Sequence, residues 1–182
     1  MPDAVVIVDM VNGFLFGKAD QLLVTTENVA SLITNIQTMA SKARQAQVPV
    51  LFIACKHEED DVMFRYIPLH GIKGTWEAEI ISDLTPEPGD VIVNKRFYDG
   101  FYGSRLDEVL RRLAVDSLYM AGIQTDCCVH ATAQGAIFRG YRATIVADCC
   151  DTISPERQSV GLERYRDLIG PVLSLNEISF NA

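Results

Sequence analysis

The segment Ala4-Val-Val-Ile-Val8 consists of small and β-branched apolar residues, and Asp9 follows it directly. Similar short apolar runs recur along the chain, and these are Val48-Pro-Val-Leu-Phe-Ile53, Asp90-Val-Ile-Val-Asn94, Ser117-Leu-Tyr-Met-Ala121, Ala143-Thr-Ile-Val-Ala147 and Val172-Leu-Ser-Leu175. Strands that are apolar along their whole length are covered on both faces, which is typical of a parallel sheet between helix layers. The pattern therefore predicts an α/β fold, a three-layer αβα sandwich with a six-stranded parallel sheet of Rossmann-like type.

Helical patterns separate these runs. Between the first two, apolar residues recur at spacings of three and four, which predicts one apolar stripe on a long helix: Val29, Leu32, Ile33, Ile36, Ala40 and Ala43. A later helix is expected to begin with Ser154 as the N-cap and Pro155 as its first residue. Repeated strand–helix–strand units make right-handed crossovers. Because no repeat or linker is visible, residues 1–182 are expected to form a single domain.

The composition narrows the function classes. The chain has 24 acidic and 16 basic residues and a net charge of −8, whereas a protein that coats nucleic acid needs excess Lys and Arg. Its five cysteines include two adjacent pairs, Cys127-Cys128 and Cys149-Cys150, which is not the spacing of a disulfide framework. The first apolar run is too short to span a bilayer and lacks a basic leader. We therefore expect a cytoplasmic protein without nucleic-acid or membrane partners.

The candidate site lies where the predicted strands end. In open α/β sheets the binding crevice lies at the carboxyl ends of the strands. The least regular stretch, residues 55–74, begins at such an end, and long irregular stretches in compact domains are usually functional. The polar groups that terminate the strands are therefore the candidate functional residues: Asp9, Cys55, Lys95, the turn from Gly122 to Cys128, and Asp148.

Cys128 is the leading candidate for a nucleophile. Thr125 is a good N-cap for a helix, and it would place Cys128 at the third helical position. The expected inner face of that helix consists of Val129, Ala133, Ala136 and Ile137. A helix N-terminus lowers the pKa of a thiol and can bind an oxyanion. The commoner role of cysteine, a small buried hydrophobe, fits Cys127, Cys149 and Cys150 better.

Three segments resemble the signature segments of the isochorismatase-like cysteine hydrolases, a superfamily that includes nicotinamidases and N-carbamoylsarcosine amidases. The segments are Val8-Asp9-Met-Val-Asn-Gly-Phe14, Lys95 followed by Asp99-Gly-Phe-Tyr-Gly-Ser-Arg-Leu106, and Gly122-Ile-Gln-Thr-Asp-Cys-Cys128-Val-His-Ala-Thr-Ala133. They occur in the family's order and span most of the chain. The resemblance implies a triad of Asp9, Lys95 and Cys128 that releases ammonia from a small amide through a covalent Cys128 intermediate.

The resemblance implies further features of the site. A cis peptide bond is expected between Ile123 and Gln124, and the backbone amides of Gln124 and Cys128 are expected to form the oxyanion hole. The substrate pocket is expected to include Phe14, Ile67 and Phe101. Relatives commonly form dimers or tetramers in which a neighbouring subunit walls the pocket, so a homo-oligomer is expected.

Two positions bear on the choice of substrate. Nicotinamidases hold a metal through Asp-x-His and a later His, and they stack the substrate ring on a Trp. The matching positions here are Cys55, His57 and His70, with Ile67 at the Trp position. Cys with two His is an acceptable zinc set, so the sequence leaves open a zinc site or no required cofactor. Loss of the Trp removes a stacking face worth about 0.5–1.5 kcal/mol.

These departures favour a smaller, non-aromatic amide or ureido substrate. N-carbamoylsarcosine is the preferred candidate, with Arg65 or Arg96 as a partner for its carboxylate. Nicotinamidase activity is the alternative. Isochorismatase activity, which cleaves a vinyl ether without a thiol, is less favoured because Cys128 stands in its full context. Thiol–disulfide exchange is disfavoured because the adjacent pair Cys127-Cys128 is not a Cys-x-x-Cys motif.

Overall fold

A computed structural model describes residues 2–18, 22–25 and 27–180 of the chain. The strands are β1 (Asp3–Val8), β2 (Val50–Cys55), β3 (Val91–Lys95), β4 (Ser117–Ile123), β5 (Arg142–Asp151) and β6 (Val172–Leu173). The α-helices are α1 (Asn12–Phe16), α2 (Val29–Gln45), α3 (Leu106–Arg112), α4 (His130–Ile137) and α5 (Pro155–Leu168). A π-helical turn, Thr125–Val129, precedes α4. Short 3-10 turns span Val62–Arg65, Trp76–Ala78 and Ser82–Leu84.

The six strands form one sheet in the order β3-β2-β1-β4-β5-β6, and every neighbouring pair is parallel. This confirms the predicted six-stranded parallel sheet. None of the helices in the described ranges has the length and apolar character that crossing a lipid bilayer requires.

Strand β1 shows how the sheet is covered on both faces. Val5 and Ile7 pack in one core cluster with residues of α2, whereas Ala4, Val6 and Val8 pack in a second cluster with residues of α3, α4 and α5. All of these strand residues are 0–1 % exposed. Successive side chains of a strand point to opposite faces, so an uninterrupted apolar run such as Ala4–Val8 indicates a segment that is buried on both faces.

Two predicted helices have the features that their sequences indicate. The apolar stripe of α2 is buried, and Met39 joins the residues that the spacing identified. At the start of α5, the hydroxyl of Ser154 accepts a hydrogen bond from the backbone N–H of Arg157 at 3.2 Å, and Pro155 is the first helical residue. The N-cap satisfies one of the backbone N–H groups that the first helical turn leaves unpaired.

Strands β1 and β4 are neighbours at the switch point of the sheet, and their backbones approach closely at the carboxyl edge. Gly122 pairs with Val8 and has a backbone φ of +105°. A Cβ atom on Gly122 would lie 2.0 Å from the carbonyl oxygen of Val8. Only glycine fits here, because both the backbone conformation and the available space exclude a side chain. The close approach brings the residues that follow β1 and β4 together.

Substitution of Gly122 tests this close approach. We expect Gly122→Ala to destabilise the fold by about 3 kcal/mol or more, because the new methyl group overlaps the Val8 backbone. Gly140→Ala is the matched control, since Gly140 also has a positive φ, +89°, but a Cβ atom added there would meet no other atom within 4 Å. That control should lose only about 1–2 kcal/mol. Equal losses in urea unfolding would contradict the steric argument.

Candidate active site

The carboxyl edge of the sheet holds a small cavity of about 40 Å³. Asp9 follows β1, Lys95 ends β3, and Cys128 lies in the turn after β4, and all three line this cavity. A water molecule occupies about 30 Å³ in the liquid, so the cavity admits only the reacting end of a substrate unless its walls move. Two wider surface depressions, about 560 and 630 Å³, have no thiol in their walls.

Lys95 connects the acid and the thiol. Its Nζ lies 2.6 Å from Oδ2 of Asp9 and donates hydrogen bonds to the carbonyl of Phe97 at 3.0 Å and to Sγ of Cys128 at 3.5 Å. The side chains of Lys95 and Asp9 are only 1 % and 2 % exposed. Burial lowers the pKa of Lys95, but the charges of Asp9 and Cys128 outweigh it and raise the pKa well above its ordinary value. Lys95 is therefore a fixed cation inside the cavity.

Asp9 is held in an unusual backbone conformation, with φ at +55°. Non-glycine residues rarely adopt this conformation, which costs on the order of 1–3 kcal/mol and is common at functional sites. Its backbone N–H donates to the carbonyl of Ile53 at 2.8 Å, which fixes the residue at the sheet edge. While Lys95 contacts Oδ2, Oδ1 is buried without a hydrogen-bond partner among the described residues. Oδ1 is thus the oxygen available to accept a proton.

Cys128 lies in a wider turn than the sequence suggests. The helix was expected to begin after Thr125 as its N-cap, but the turn already includes Thr125, and Gln124 precedes it. The backbone N–H of Val129 donates to the carbonyl of Gln124 at 3.0 Å, a π-helical bond between residues five apart. The N-cap prediction is therefore wrong, and Cys128 is the fourth residue of the turn. The hydroxyl of Thr125 makes no hydrogen bond with any residue that the structure describes.

Cys128 is 8 % exposed and is not an isolated thiol. A hydrogen bond with the Cys127 thiol and burial together raise the pKa of Cys128 well above its ordinary value, while the charge of Lys95 lowers it. Lys95 therefore favours the thiolate of Cys128, but the hydrogen bond with Cys127 and burial outweigh this effect in the resting site. A base must take the proton from Cys128 before it can attack.

The residues around Cys128 also line the cavity. The peptide bond between Ile123 and Gln124 is cis. Gln124 lines the cavity with Cys128 and is 9 % exposed. The two residues assigned to the oxyanion hole therefore lie in one turn beside the triad.

A second cluster lies in the wall of the same cavity. The ligand atoms of Cys55, His57 and His70 all lie within 4.8 Å of one another. The loop after β2 returns alongside itself, since the N–H of His57 donates to the carbonyl of Gly71 and the N–H of Lys73 donates to the carbonyl of His57, both at 2.9 Å. This return brings His70 beside His57, with ring centroids 4.9 Å apart.

The donor set of this cluster fits zinc. Sγ of Cys55 and Nε2 of His57 are 2.9 Å apart, and both residues are buried. Burial raises the pKa of Cys55 to about 12 and lowers that of His57 to about 4. The imidazole is therefore neutral at pH 7, as a metal ligand must be. Tetrahedral zinc with Zn–N and Zn–S bonds of 2.0–2.3 Å needs ligand atoms roughly 3.5 Å apart, so small shifts would suffice.

The expected substrate pocket is partly wrong. Phe14 and Ile67 line the cavity, but Phe101 does not. The ring of Phe101 is buried in the core against Tyr141, at 5.9 Å between centroids. The chain reverses at Asp99, whose carboxylate and carbonyl accept the N–H groups of residues 101 and 102. The turn therefore directs Phe101 away from the sheet edge.

Other candidates from the sequence lie away from the cavity. Strand β5 continues to Asp151, so Asp148 is not at its end, and its carboxylate instead accepts the N–H of Leu175 at 2.8 Å. Arg96 pairs with Asp61, Arg65 is exposed, and neither arginine is part of the cavity wall. Neither position supports the suggested contact with a substrate carboxylate.

The cavity also contains residues that sequence reasoning missed. Phe97 and Tyr98 follow Lys95 and form part of the wall, together with Met63 from the loop after β2. Cys127 lines the cavity as well, so its interpretation as a buried core residue is wrong, whereas Cys149 and Cys150 are buried as expected. The position of Phe97 and Tyr98, two and three residues after Lys95, was a usable signal.

The chain is similar to known hydrolases. Residues 3–177 match the family described as the isochorismatase domain. The ureidoacrylate amidohydrolase of Pseudomonas syringae pv. syringae (strain B728a) is 29 % identical, over 96 % of this chain and 81 % of that protein. The structure of N-carbamoylsarcosine amidase from Thermoplasma acidophilum is 30 % identical with a TM-score of 0.86, over 98 % of this chain and 99 % of that one. A nicotinamidase structure from Bacillus subtilis is 25 % identical with a TM-score of 0.84, over 96 % and 100 %.

The buried ion pair predicts a characteristic stability pattern. Lys95→Met should destabilise the fold by about 3–5 kcal/mol, because it leaves the Asp9 carboxylate buried without a counter-charge. The double variant Asp9→Leu with Lys95→Met should recover most of this loss, since no isolated charge remains. Lys73→Met, which removes an exposed partner of Glu58, should change stability by less than about 1 kcal/mol. A double variant no more stable than Lys95→Met in urea unfolding would contradict this account.

Proposed function

The chain belongs to the isochorismatase family, as a cysteine hydrolase that acts on amide C–N bonds, and we propose that it releases ammonia from a small amide or ureido substrate. The observation that carries this proposal is the buried contact of Lys95 with both Asp9 and Cys128 at the base of one cavity. A thiol, a carboxylate and a cation in contact can form a nucleophile, transfer its proton and stabilise the charges that result.

The first half of the reaction forms a covalent intermediate. Oδ1 of Asp9 takes the proton of Cys128, and the thiolate attacks the carbonyl carbon of the substrate. The negative charge moves to the carbonyl oxygen, where the backbone N–H groups of Gln124 and Cys128 stabilise it. Asp9 then returns the proton to the leaving nitrogen, the C–N bond breaks, and ammonia departs from the thioester.

The second half regenerates the thiol. Asp9, again ionised, takes a proton from a water molecule, and the resulting hydroxide attacks the thioester carbon. The C–S bond breaks, Cys128 recovers a proton from Asp9, and a carboxylic or carbamic acid leaves. Lys95 stays in contact with Asp9 while the Asp9 carboxyl group gains and loses the proton. This chemistry is proposed to require no cofactor.

The substrate class rests on the cavity and on the relatives. The cavity of about 40 Å³ suits a carbamoyl group, which is compact. Two relatives are described by their activity on ureido compounds, ureidoacrylate and N-carbamoylsarcosine. We propose N-carbamoylsarcosine as the preferred substrate of this chain, with its carbamoyl group at Cys128. A vinyl ether substrate is disfavoured because it would leave the thiol without a role.

Nicotinamide is the second candidate, and two observations favour it. Phe14, Phe97 and Tyr98 supply aromatic walls although Ile67 stands where a stacking Trp was expected. Cys55 and His57 lie beside them, and with His70 they would hold a zinc ion. When bound there, zinc would supply a Lewis acid that orients a ring nitrogen or a carbonyl oxygen of the substrate.

Assembly is a separate proposal. We propose that the chain forms a homodimer or homotetramer, because exposed aromatic side chains such as Tyr66 and Trp76, 82 % and 58 % exposed, lie in the loop that follows β2. Exposed apolar groups of this kind are enriched at protein interfaces. Light scattering should return a multiple of the 20.2 kDa chain mass, and the mass of a single chain at working concentration would refute the proposal.

Substituting each of the two adjacent cysteines in turn distinguishes covalent catalysis by Cys128 from a general need for a thiol in this turn. Cys128→Ala should abolish ammonia release from N-carbamoylsarcosine while the melting temperature changes little. Cys127→Ala, the matched control one residue away, should retain substantial activity because the thiol to which Lys95 donates its hydrogen bond is that of Cys128. Asp9→Asn should lower kcat by about 10²–10⁴-fold, since an amide cannot transfer the proton. Activity that survives in Cys128→Ala would reject the mechanism.

Substrate preference is tested by comparing two amides directly. N-carbamoylsarcosine should show a kcat/KM about tenfold or more above that of nicotinamide, because Ile67 offers no stacking face. Ile67→Trp should narrow this ratio, and Ile67→Leu is its matched control. Ammonia release is measured for both substrates before and after chelation, which should change the rate for N-carbamoylsarcosine little. A preference for nicotinamide that disappears on chelation would favour the second candidate.

A further inference from the structure

A buried carboxylate near the cavity has no part in the thiol chemistry. Asp61 is 7 % exposed, and its Oδ1 contacts Nη2 of Arg96. Its Oδ2 lies 2.7 Å from Nδ1 of His57 and accepts the backbone N–H of Glu58 at 3.3 Å. We propose that Asp61 is a positioning residue that fixes the tautomer of His57 and directs its Nε2 atom into a zinc-binding centre with Cys55 and His70.

The tautomer follows from the partners of His57. A carboxylate only accepts hydrogen bonds, so Nδ1 of His57 must carry the proton that it shares with Asp61. The lone pair therefore lies on Nε2, which faces Sγ of Cys55 at 2.9 Å. The hydrogen-bond partner of one imidazole nitrogen commonly decides which of the two ring nitrogens is free to bind a metal.

His70 has the same tautomer as His57, but a different group fixes it. Its Nδ1 lies 2.7 Å from the carbonyl oxygen of Pro68, which can only accept, so Nδ1 carries the proton and Nε2 the lone pair. Both imidazoles therefore carry their lone pair on Nε2, and one ring nitrogen of each histidine lies within 4.8 Å of the Cys55 thiol. A pair of prearranged imidazoles beside a thiol matches a three-ligand zinc site.

Arg96 connects Asp61 to the end of β3. It follows Lys95 directly, and its guanidinium holds Asp61, which lies at the start of a 3-10 turn, next to Val62. The buried carboxylate is thus neutralised without contact to the triad. If the Arg96–Asp61 pair only stabilised the fold, substitution of Asp61 would lower the free energy of unfolding. It would leave the tautomer of His57 and the zinc affinity unchanged.

The inference rests on the proposed function only for the role of the centre at the substrate cavity, and its test does not use turnover. Zinc affinity is measured on metal-free protein by competition with a chromophoric chelator. Asp61→Ala should weaken zinc binding 10–100-fold, and Asp61→Asn should weaken it less, because an amide oxygen can still accept from His57. Asp60→Ala is the matched control, since it removes a neighbouring exposed carboxylate and should leave the affinity nearly unchanged.

Nitrogen-15 NMR of histidine-labelled, metal-free protein reports the tautomer directly, with His57 assigned from His57→Gln. His57 should be protonated at Nδ1 in the unsubstituted protein and in Asp60→Ala, and it should shift towards protonation at Nε2 in Asp61→Ala. If Asp61→Ala does not fold, Asp61→Asn is compared with Asp60→Ala by zinc affinity alone, because its amide oxygen can still accept from His57 and so preserves the tautomer. Absence of zinc uptake, equal zinc affinities in the Asp61 and Asp60 variants, or an unchanged His57 tautomer in Asp61→Ala would each overturn the proposal. Failure of ammonia release from every amide tested would instead refute the proposed function alone.

Discussion

The buried ion pair between Lys95 and Asp9 is the interaction on which the site depends. Two charges removed from water are stable only when they lie close together with their remaining hydrogen bonds satisfied, because desolvation costs several kcal/mol per ion. The 2.6 Å contact requires β1 and β3 to end at the same level of the sheet, on either side of β2. The register of three parallel strands is therefore tied to the charge pair that contacts the Cys128 thiol.

The same register explains why two chemical clusters share one cavity. Cys55 pairs with Lys95 across β2 and β3, so the thiol that ends β2 lies beside the cation that ends β3. The loop after β2 then returns on itself and places His57 and His70 next to Cys55. One wall of the cavity thus carries soft metal ligands, while its base carries the triad. A substrate that enters would contact both.

The residues proposed for the chemistry and those that wall the cavity come from different parts of the chain. Asp9, Lys95 and Cys128 lie at strand ends or in a short turn, where the sheet fixes their positions. The walls come from longer loops, including the one that contains Ile67, which can vary without disturbing the sheet. This division accounts for relatives that share the fold at 25–30 % identity and are described by different amide substrates.

The sequence alone predicted the parallel sheet and its buried strands, because apolar runs are local patterns, and it placed Asp9, Lys95 and Cys128 among several polar candidates at strand ends. It did not determine that Phe101 enters the core, since a turn at Asp99 reverses the chain. Nor did the sequence distinguish Asp61 from the other residues of the acidic run Glu58-Glu59-Asp60-Asp61, which resembles a solvated loop. Only the tertiary structure brings Asp61 to His57 and Arg96, because contacts between loops depend on how the strands beneath them are aligned.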